Sequence, residues 1–184
     1  LLDHLFDFEE IRVHSRRKES RDAFGEKLSR DLGKKVIVTE DWETCLKDAD
    51  IMIEATRLNE PTPMFQRSWV KPGTLVVPYG TMSSLPLDFT DGFDKFVMDD
   101  LGQMRAGSLG ALRPQINAGK ITEESFYAEI GEIAAGLKPG RESDEETILF
   151  WHRGMSTGDI ALGAAILEKA RSMGVTQNLL YRED

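Results

Sequence analysis

The sequence predicts an α/β fold, a doubly wound parallel sheet with helices on both faces. Short apolar runs rich in β-branched residues, such as Val36-Ile37-Val38 and Thr147-Ile148-Leu149-Phe150, alternate with stretches at helical spacing. Parallel strands need crossovers, so this alternation selects a parallel sheet with helices packed over it. The runs also end in small, polar or basic residues, where such a sheet opens onto its ligand.

Leu1, Leu2, Leu5 and Phe6 share one face of a first helix. Ile11 and Val13 form the buried side of a strand ending at His14, and Ser15-Arg16-Arg17 with the polar run Lys18-Glu19-Ser20-Arg21-Asp22 leads into a helix. The spacing of Ala23, Phe24, Leu28 and Leu32, with Gly33 at its C′ position, predicts a helix over 21–32. Val36-Ile37-Val38 is the next strand, and Asp41 caps a brief helix with Trp42, Cys45 and Leu46 turned inward. A further strand spans 50–56, ending in Ala55 and Thr56, and its apolar run suits burial on both faces. A loop with Pro61 and Pro63 leads through the turn Lys71-Pro72-Gly73 into the strand Thr74-Leu75-Val76-Val77, followed by the small-residue loop Tyr79-Gly80-Thr81-Met82-Ser83-Ser84.

Lys95-Phe96-Val97-Met98 is a strand closed by Asp99-Asp100. Weak helical signals cover 102–105 and 112–117. Thr122 caps a helix ending at Gly136, with Phe126, Ile130 and Ile133 on one face. After the strand at 147–150, the pattern Ser156-Thr157-Gly158-Asp159 opens a long helix as a capping box. Its inner face is Ile160, Ala164, Leu167, Ala170 and Met173, and Gly174 stops it. Without repeats or a convincing linker, residues 1–184 are expected to form one domain.

The composition excludes several classes. With 184 residues, 40% hydrophobic, the chain can bury a sizeable core, and no run is long and apolar enough to cross a bilayer. A formal net charge of −9 repels nucleic acid and anionic lipid, so neither is an expected partner. The single Cys45 excludes an internal disulfide framework and fits the reducing cytoplasm. No Cys/His/Asp spacing suggests a metal site.

Against that negative background the basic cluster at Ser15-Arg16-Arg17 is a local exception. Just past a second strand in a dinucleotide fold, arginines pair with a 2′-phosphate, whereas an acidic residue would hold the ribose hydroxyls. The same charges also suit an ordinary solvated helix start. A dinucleotide fold normally begins with a strand and a Gly-x-Gly-x-x-Gly/Ala turn that holds the pyrophosphate. No such turn precedes Ile11, and the chain starts on Leu1-Leu2 without Met. The expectation is therefore a Rossmann-like domain lacking its first strand and glycine turn, a fragment of a longer chain.

The chain resembles the ornithine cyclodeaminase/mu-crystallin family. The resemblance is carried by Val13-His14-Ser15-Arg16, by Ala49-Asp50-Ile51-Met52-Ile53-Glu54-Ala55-Thr56 and by Trp69-Val70-Lys71-Pro72-Gly73-Thr74. It is strongest in Glu129-Ile130-Gly131-Glu132-Ile133-Ala134-Ala135-Gly136-Leu137-Lys138-Pro139-Gly140-Arg141, and continues to Asp159-Ile160-Ala161. It implies an NAD(P)-binding domain joined to an N-terminal segment that dimerises and binds substrate. It also implies hydride transfer between a nicotinamide and the α-carbon of an amino or imino acid. With Ser15-Arg16-Arg17 as the 2′-phosphate reader, NADP(H) is favoured and NAD(H) is the alternative. By position, Ala55 and Thr56 would approach the ribose or nicotinamide, and Gly80, Thr81 and Met82 would line the nicotinamide pocket. Arg141 and Asp159 recur in the family pattern, with loop anchoring and helix capping as structural alternatives.

Two departures leave the catalytic residue unassigned. Cyclodeaminases that resemble this chain carry an aspartate where this one has Met82, and a thioether cannot relay a proton. Asp88 and Asp91, farther on, read as surface or capping groups. His152-Arg153 replaces the family's usual Ser-Val before Gly154, so His152 could serve as acid/base, contact a substrate carboxylate or only pack. The expected function is an NADP(H)-dependent oxidoreductase acting on an imino or amino acid, as a homodimer through the N-terminal part. The alternatives are a non-catalytic nucleotide-binding protein or partner subunit, and then a true cyclodeaminase.

Overall fold

In the computed structural model, which describes residues 2–80, 83–105 and 110–179, all strand pairings among the described residues are parallel. The chain divides into two units, Leu1–His152 and Arg153–Asp184. In the first unit, β1 (Ile11–Val13) pairs with β2 (Val36–Val38) in a two-stranded sheet. A five-stranded sheet holds β3 (Ile51–Glu54), β4 (Leu75–Pro78), β5 (Lys95–Met98), β6 (Ala128–Glu129) and β7 (Ile148–Trp151), in the order β3-β4-β7-β5-β6. The expected parallel α/β architecture is present.

Hydrophobicity places β5 and β7 at the centre, where Met98, Leu149 and Trp151 are fully enclosed. Lys95 at the start of β5 is buried too, and its ammonium is satisfied by the Gly140 carbonyl at 2.6 Å, Glu142 at 2.6 Å and Glu146 at 3.1 Å. Arg141 ties the same loop down by donating to the carbonyls of Ser143 and Glu146.

The helices α1 (Leu2–Leu5), α2 (Lys18–Leu32) and α3 (Trp42–Leu46) interleave with β1 to β3. Asp41 caps α3 by accepting from Thr44 N at 2.7 Å, a bond that holds its carboxyl below the ordinary range. Arg12 on β1 donates to the last carbonyls of that helix, at Thr44 and Lys47, so β1 and α3 are clamped together. Rings continue the link into the main core, from His14 to Trp42 at 4.1 Å, Trp42 to Phe65 at 5.8 Å and Phe65 to Phe89 at 6.4 Å.

Several elements depart from the sequence expectation. α2 begins at Lys18, and its fully buried residue is Gly25, while Phe24 is exposed. A Cβ on Gly25 would stand 2.5 Å from Val38 Cγ2 and 3.4 Å from Val13 Cγ2, so the helix approaches the sheet through the residue with no side chain. Apolar spacing could not see that contact, and one residue on a helix turns its face by about 100°. The strand β3 is not buried on both faces: Met52 and Glu54 are buried, whereas Ile53 is 52% exposed at the sheet edge.

The helix expected from Thr122 to Gly136 is broken. Thr122 and Ser125 cap a single 3-10 turn, Glu123–Ser125, after which Tyr127 N donates to the Phe96 carbonyl at 2.7 Å and β6 pairs along β5. Only then does α6 (Ile130–Ala134) form, followed by Gly136 at φ 72°. The open edge of β5 recruits this segment, and its ladder hydrogen bonds outweigh weak helical spacing. Between β5 and β6 lie α4 (Leu101–Arg105) and α5 (Arg113–Asn117), close to the expected positions.

The second unit contains α7 (Ser156–Ser172), with Gly174 beyond it at φ 66°. Its N-cap residue is Met155, without a side-chain cap, so the expected capping box does not form. Of the residues expected on its inner face, Ile160, Ala164, Leu167 and Met173 are exposed and Ala170 is half-buried.

Candidate cofactor and active site

In a parallel sheet every strand points the same way, so β3, β4, β7 and β5 end along one rim. Glu54 closes β3 there as a buried carboxylate. It accepts from Thr56 N at 2.6 Å and from Gly80 N at 3.2 Å, while its own carbonyl accepts from Tyr79 N at 2.6 Å. One carboxylate thus staples the loops after β3 and β4, and brings Ala55, Thr56 and Gly80 to a common edge. Ala55 is exposed, Thr56 half-buried and Gly80 buried. A Cβ on Gly80 would meet Glu54 Oε2 at 2.5 Å, so a side chain here would displace the Glu54 carboxylate. Thr81 and Met82 lie outside the described residues.

Farther along the rim, the His152 ring follows β7 and stacks between Tyr79 at 5.2 Å and Phe150 at 5.6 Å between centroids. Its Nδ1 is closed to solvent and lies 3.3 Å from Asp99 Oδ2, at the end of β5. The Asp99 side chain is fully buried, and its Oδ1 accepts from Asp100 N at 3.0 Å. His152 itself keeps 38% of its side chain exposed.

The basic cluster sits on the other sheet. Ser15 is half-buried, and its carbonyl accepts from Arg21, whose guanidinium also lies 3.7 Å from Glu40. Arg16 and Arg17 are exposed at the start of the 15-residue helix α2, and among the described residues neither side chain has a hydrogen bond or ion pair. His14 is absorbed locally, with Nδ1 3.0 Å from the Thr39 carbonyl. Asp159 lies exposed in the first turn of α7. Asp88 is exposed, and Asp91 lies 3.7 Å from Lys120, so both are surface groups. Burial pushes the Cys45 thiol up, which keeps it protonated and unreactive. Among the described residues no group of three or more His, Cys, Asp or Glu could hold a metal ion.

Sequence reasoning missed Glu54, Tyr79 and Asp99. Glu54 and Asp99 had a readable signal, a carboxylate at the end of an otherwise apolar strand, where burial has to be compensated. Tyr79 had none, because its importance lies in the ring across the sheet. The residues present suit a dinucleotide: unpaired arginines at a helix start for a phosphate, and a glycine-lined edge for a flat ring.

Fold and rim together define a doubly wound α/β domain whose strands β3, β4, β7 and β5 end along one rim. The chain belongs to the ornithine cyclodeaminase/mu-crystallin family, whose model matches residues 1–174. A Delta(1)-pyrroline-2-carboxylate reductase of Bacillus thuringiensis is 30% identical over 179 residues, 95% of this chain and 54% of that protein. Among solved structures, Thermococcus litoralis Delta(1)-pyrroline-2-carboxylate reductase in complex with NADH and L-proline superposes with a TM-score of 0.84 at 26% identity, over 97% of this chain and 55% of that one. An archaeal alanine dehydrogenase dimer with bound NAD superposes with a TM-score of 0.78 at 26% identity, over 98% and 55%. This chain therefore spans about half the length of the relatives it matches. No helix among the described residues is long and apolar enough to cross a membrane.

Proposed function

We propose that this chain is the cofactor domain of an NADP(H)-dependent oxidoreductase that interconverts an imino acid and an amino acid. The observation that carries the reading is the strand-end rim joined by Glu54, in a chain similar to a reductase whose structure holds NADH and L-proline. The bound nicotinamide would supply the hydride; the chain supplies position. Gly80, Thr81, Met82, Ala55 and Thr56 would flank the nicotinamide and its ribose, with the Glu54 carboxylate fixing the backbone on both sides. Arg16, with Ser15 and Arg17, would bind the 2′-phosphate, because an exposed guanidinium without a partner forms bidentate, charge-assisted bonds to phosphate. NAD(H) would lack that contact. Residues 1–184 would act as a single functional domain of a cytoplasmic homodimer, the dimeric alanine dehydrogenase being the precedent.

A second reading keeps the nucleotide and drops the chemistry. Met82 favours it, since its thioether offers no proton where a related cyclodeaminase has an aspartate. The full-length protein decides between them through fluorescence titration with NADPH and NADH, then turnover with pyrroline and piperideine carboxylates. Arg16→Ala is expected to weaken NADPH binding by roughly tenfold to a hundredfold, the worth of one or two charge-assisted bonds, and to leave NADH binding nearly unchanged. An unmutated protein that prefers NADH refutes the cofactor assignment. NADPH binding without turnover of any imine or amino acid refutes the oxidoreductase.

A further inference from the structure

We infer that the apolar face of α7 is the docking surface for the part of the full-length polypeptide that lies outside residues 1–184. Docking here is independent of the reaction proposed above.

α7 runs for 17 residues, Ser156–Ser172, and none of them is buried. Ile160 is 71% exposed, Ile166 59% and the C-cap residue Met173 62%, with Leu162 and Leu167 exposed beside them. At about 100° per residue these side chains gather on one side of the helix. Leu162, Ile166 and Met173 line up as one ridge, Ile160 and Leu167 as a second, and Gly163 and Ala170 leave a furrow between the two. No described atom lies within 4 Å of where a Cβ on Gly163 would stand, so the furrow is open. Ala161, Ala165, Glu168 and Ser172 take the opposite side.

A lone helix of this length is marginal in water, and a broad apolar face stabilises a helix only when something covers it. Contiguous exposed apolar surface marks an interaction site, and two ridges about a furrow fit the ridge of another helix. A lipid surface, a second copy and the rest of the polypeptide could each cover such a face. Helices that lie on membranes carry an excess of Lys and Arg on their polar side. α7 sets Lys169 and Arg171 against Asp159 and Glu168, in a chain of net charge −9, so lipid is disfavoured. The matched stretch covers 54% of the Bacillus thuringiensis reductase and 55% of the Thermococcus litoralis one, so nearly as much chain again is present in those relatives. A segment joined to α7 through the peptide chain meets it at an effective concentration on the order of millimolar, whereas a second copy must be captured from dilute solution. That difference selects the covalently attached segment.

The test uses the full-length protein with its native cysteines, Cys45 included, replaced by alanine. Ile166→Cys, in the middle of the face, is expected to react with a maleimide at least about tenfold more slowly than Glu168→Cys on the opposite side. Leu162→Cys repeats the measurement on the same ridge if Ile166→Cys is unstable. Equal rates overturn the inference, because the face is then open to water. Ile166→benzoylphenylalanine identifies the occupant by photo-cross-linking: the expected product has the mass of one polypeptide, and the joined peptide lies outside residues 1–184. Products of twice that mass assign the face to a second copy, and cross-links into residues 1–152 assign it to the rest of this domain. Either of these, or no cross-link at all, overturns the inference.

Discussion

Replacing Gly80 with alanine forces a methyl group into the carboxylate of Glu54. The new Cβ would lie 2.5 Å from Oε2, 3.0 Å from Oε1 and 3.1 Å from Cδ, all inside van der Waals contact. The backbone has little room to yield, because Tyr79 N is hydrogen-bonded to the Glu54 carbonyl at 2.6 Å. The carboxylate must swing away, giving up Gly80 N and, as it turns, Thr56 N. Hydrogen bonds to a charged acceptor are worth about 1.5–3 kcal/mol each. Alanine recovers about 0.4–1 kcal/mol by restricting the unfolded chain. The expected destabilisation is roughly 1–3 kcal/mol with one bond lost and roughly 2–5 kcal/mol with both. Urea unfolding followed through tryptophan fluorescence measures it, with Trp151 on β7 only 1% exposed in the native state. The decisive experiment is a double-mutant cycle with Glu54→Ala, which removes the obstructing atoms. Gly80→Ala should then cost less by at least about 1 kcal/mol; additivity within about 0.5 kcal/mol would refute the staple.

Gly25→Val should destabilise by about 1–3 kcal/mol through overpacking against Val38, and Val38→Ala should recover part of that loss in the same unfolding assay. Equal cost in both backgrounds would mean that α2 does not approach the sheet through Gly25. Asp94 accepts from Thr147 N at 2.7 Å and Thr147 Oγ1 at 2.8 Å, bonds that hold its carboxyl below the ordinary value of 3.8. A depressed folded value means stability that is fully present above pH 3.8 and is lost as the pH falls through the folded value. Asp94→Asn should therefore lower stability at neutral pH and flatten the acid limb of a urea-midpoint-against-pH curve; an unchanged limb would assign the acid sensitivity elsewhere.

The strand ends illustrate how far local signals reach. Val36-Ile37-Val38 and Phe96-Val97-Met98 are strands through their apolar, β-branched composition, and Gly33 and Asp41 end and begin helices through their own backbone and side-chain chemistry. These are interactions within a few residues, so they are written in the chain order. The segment after Thr122 marks the limit: its local spacing suits a helix, and a strand edge donated by residues some thirty positions earlier turns part of it into β6. Likewise Phe24 has the composition of a buried residue, but Gly25 takes the contact because Val13 and Val38 leave no space for a side chain.

The candidate site divides in the same way. Arg16 and Arg17 were legible because charge on an acidic chain stands out without reference to any partner, and Ala55, Thr56 and Gly80 because strand ends are sequence features. The long-range pairings that give the site its shape were not. Glu54 reaches Gly80 across 26 residues, and Asp99 meets His152 across strands adjacent only because β7 inserts between β4 and β5. By itself the sequence determined the alternation of strands and helices, the charge of the cluster at Ser15 and the family. Tertiary structure alone decided strand order, and with it which carboxylate meets which backbone amide or ring, because those distances depend on sheet topology rather than on separation along the chain.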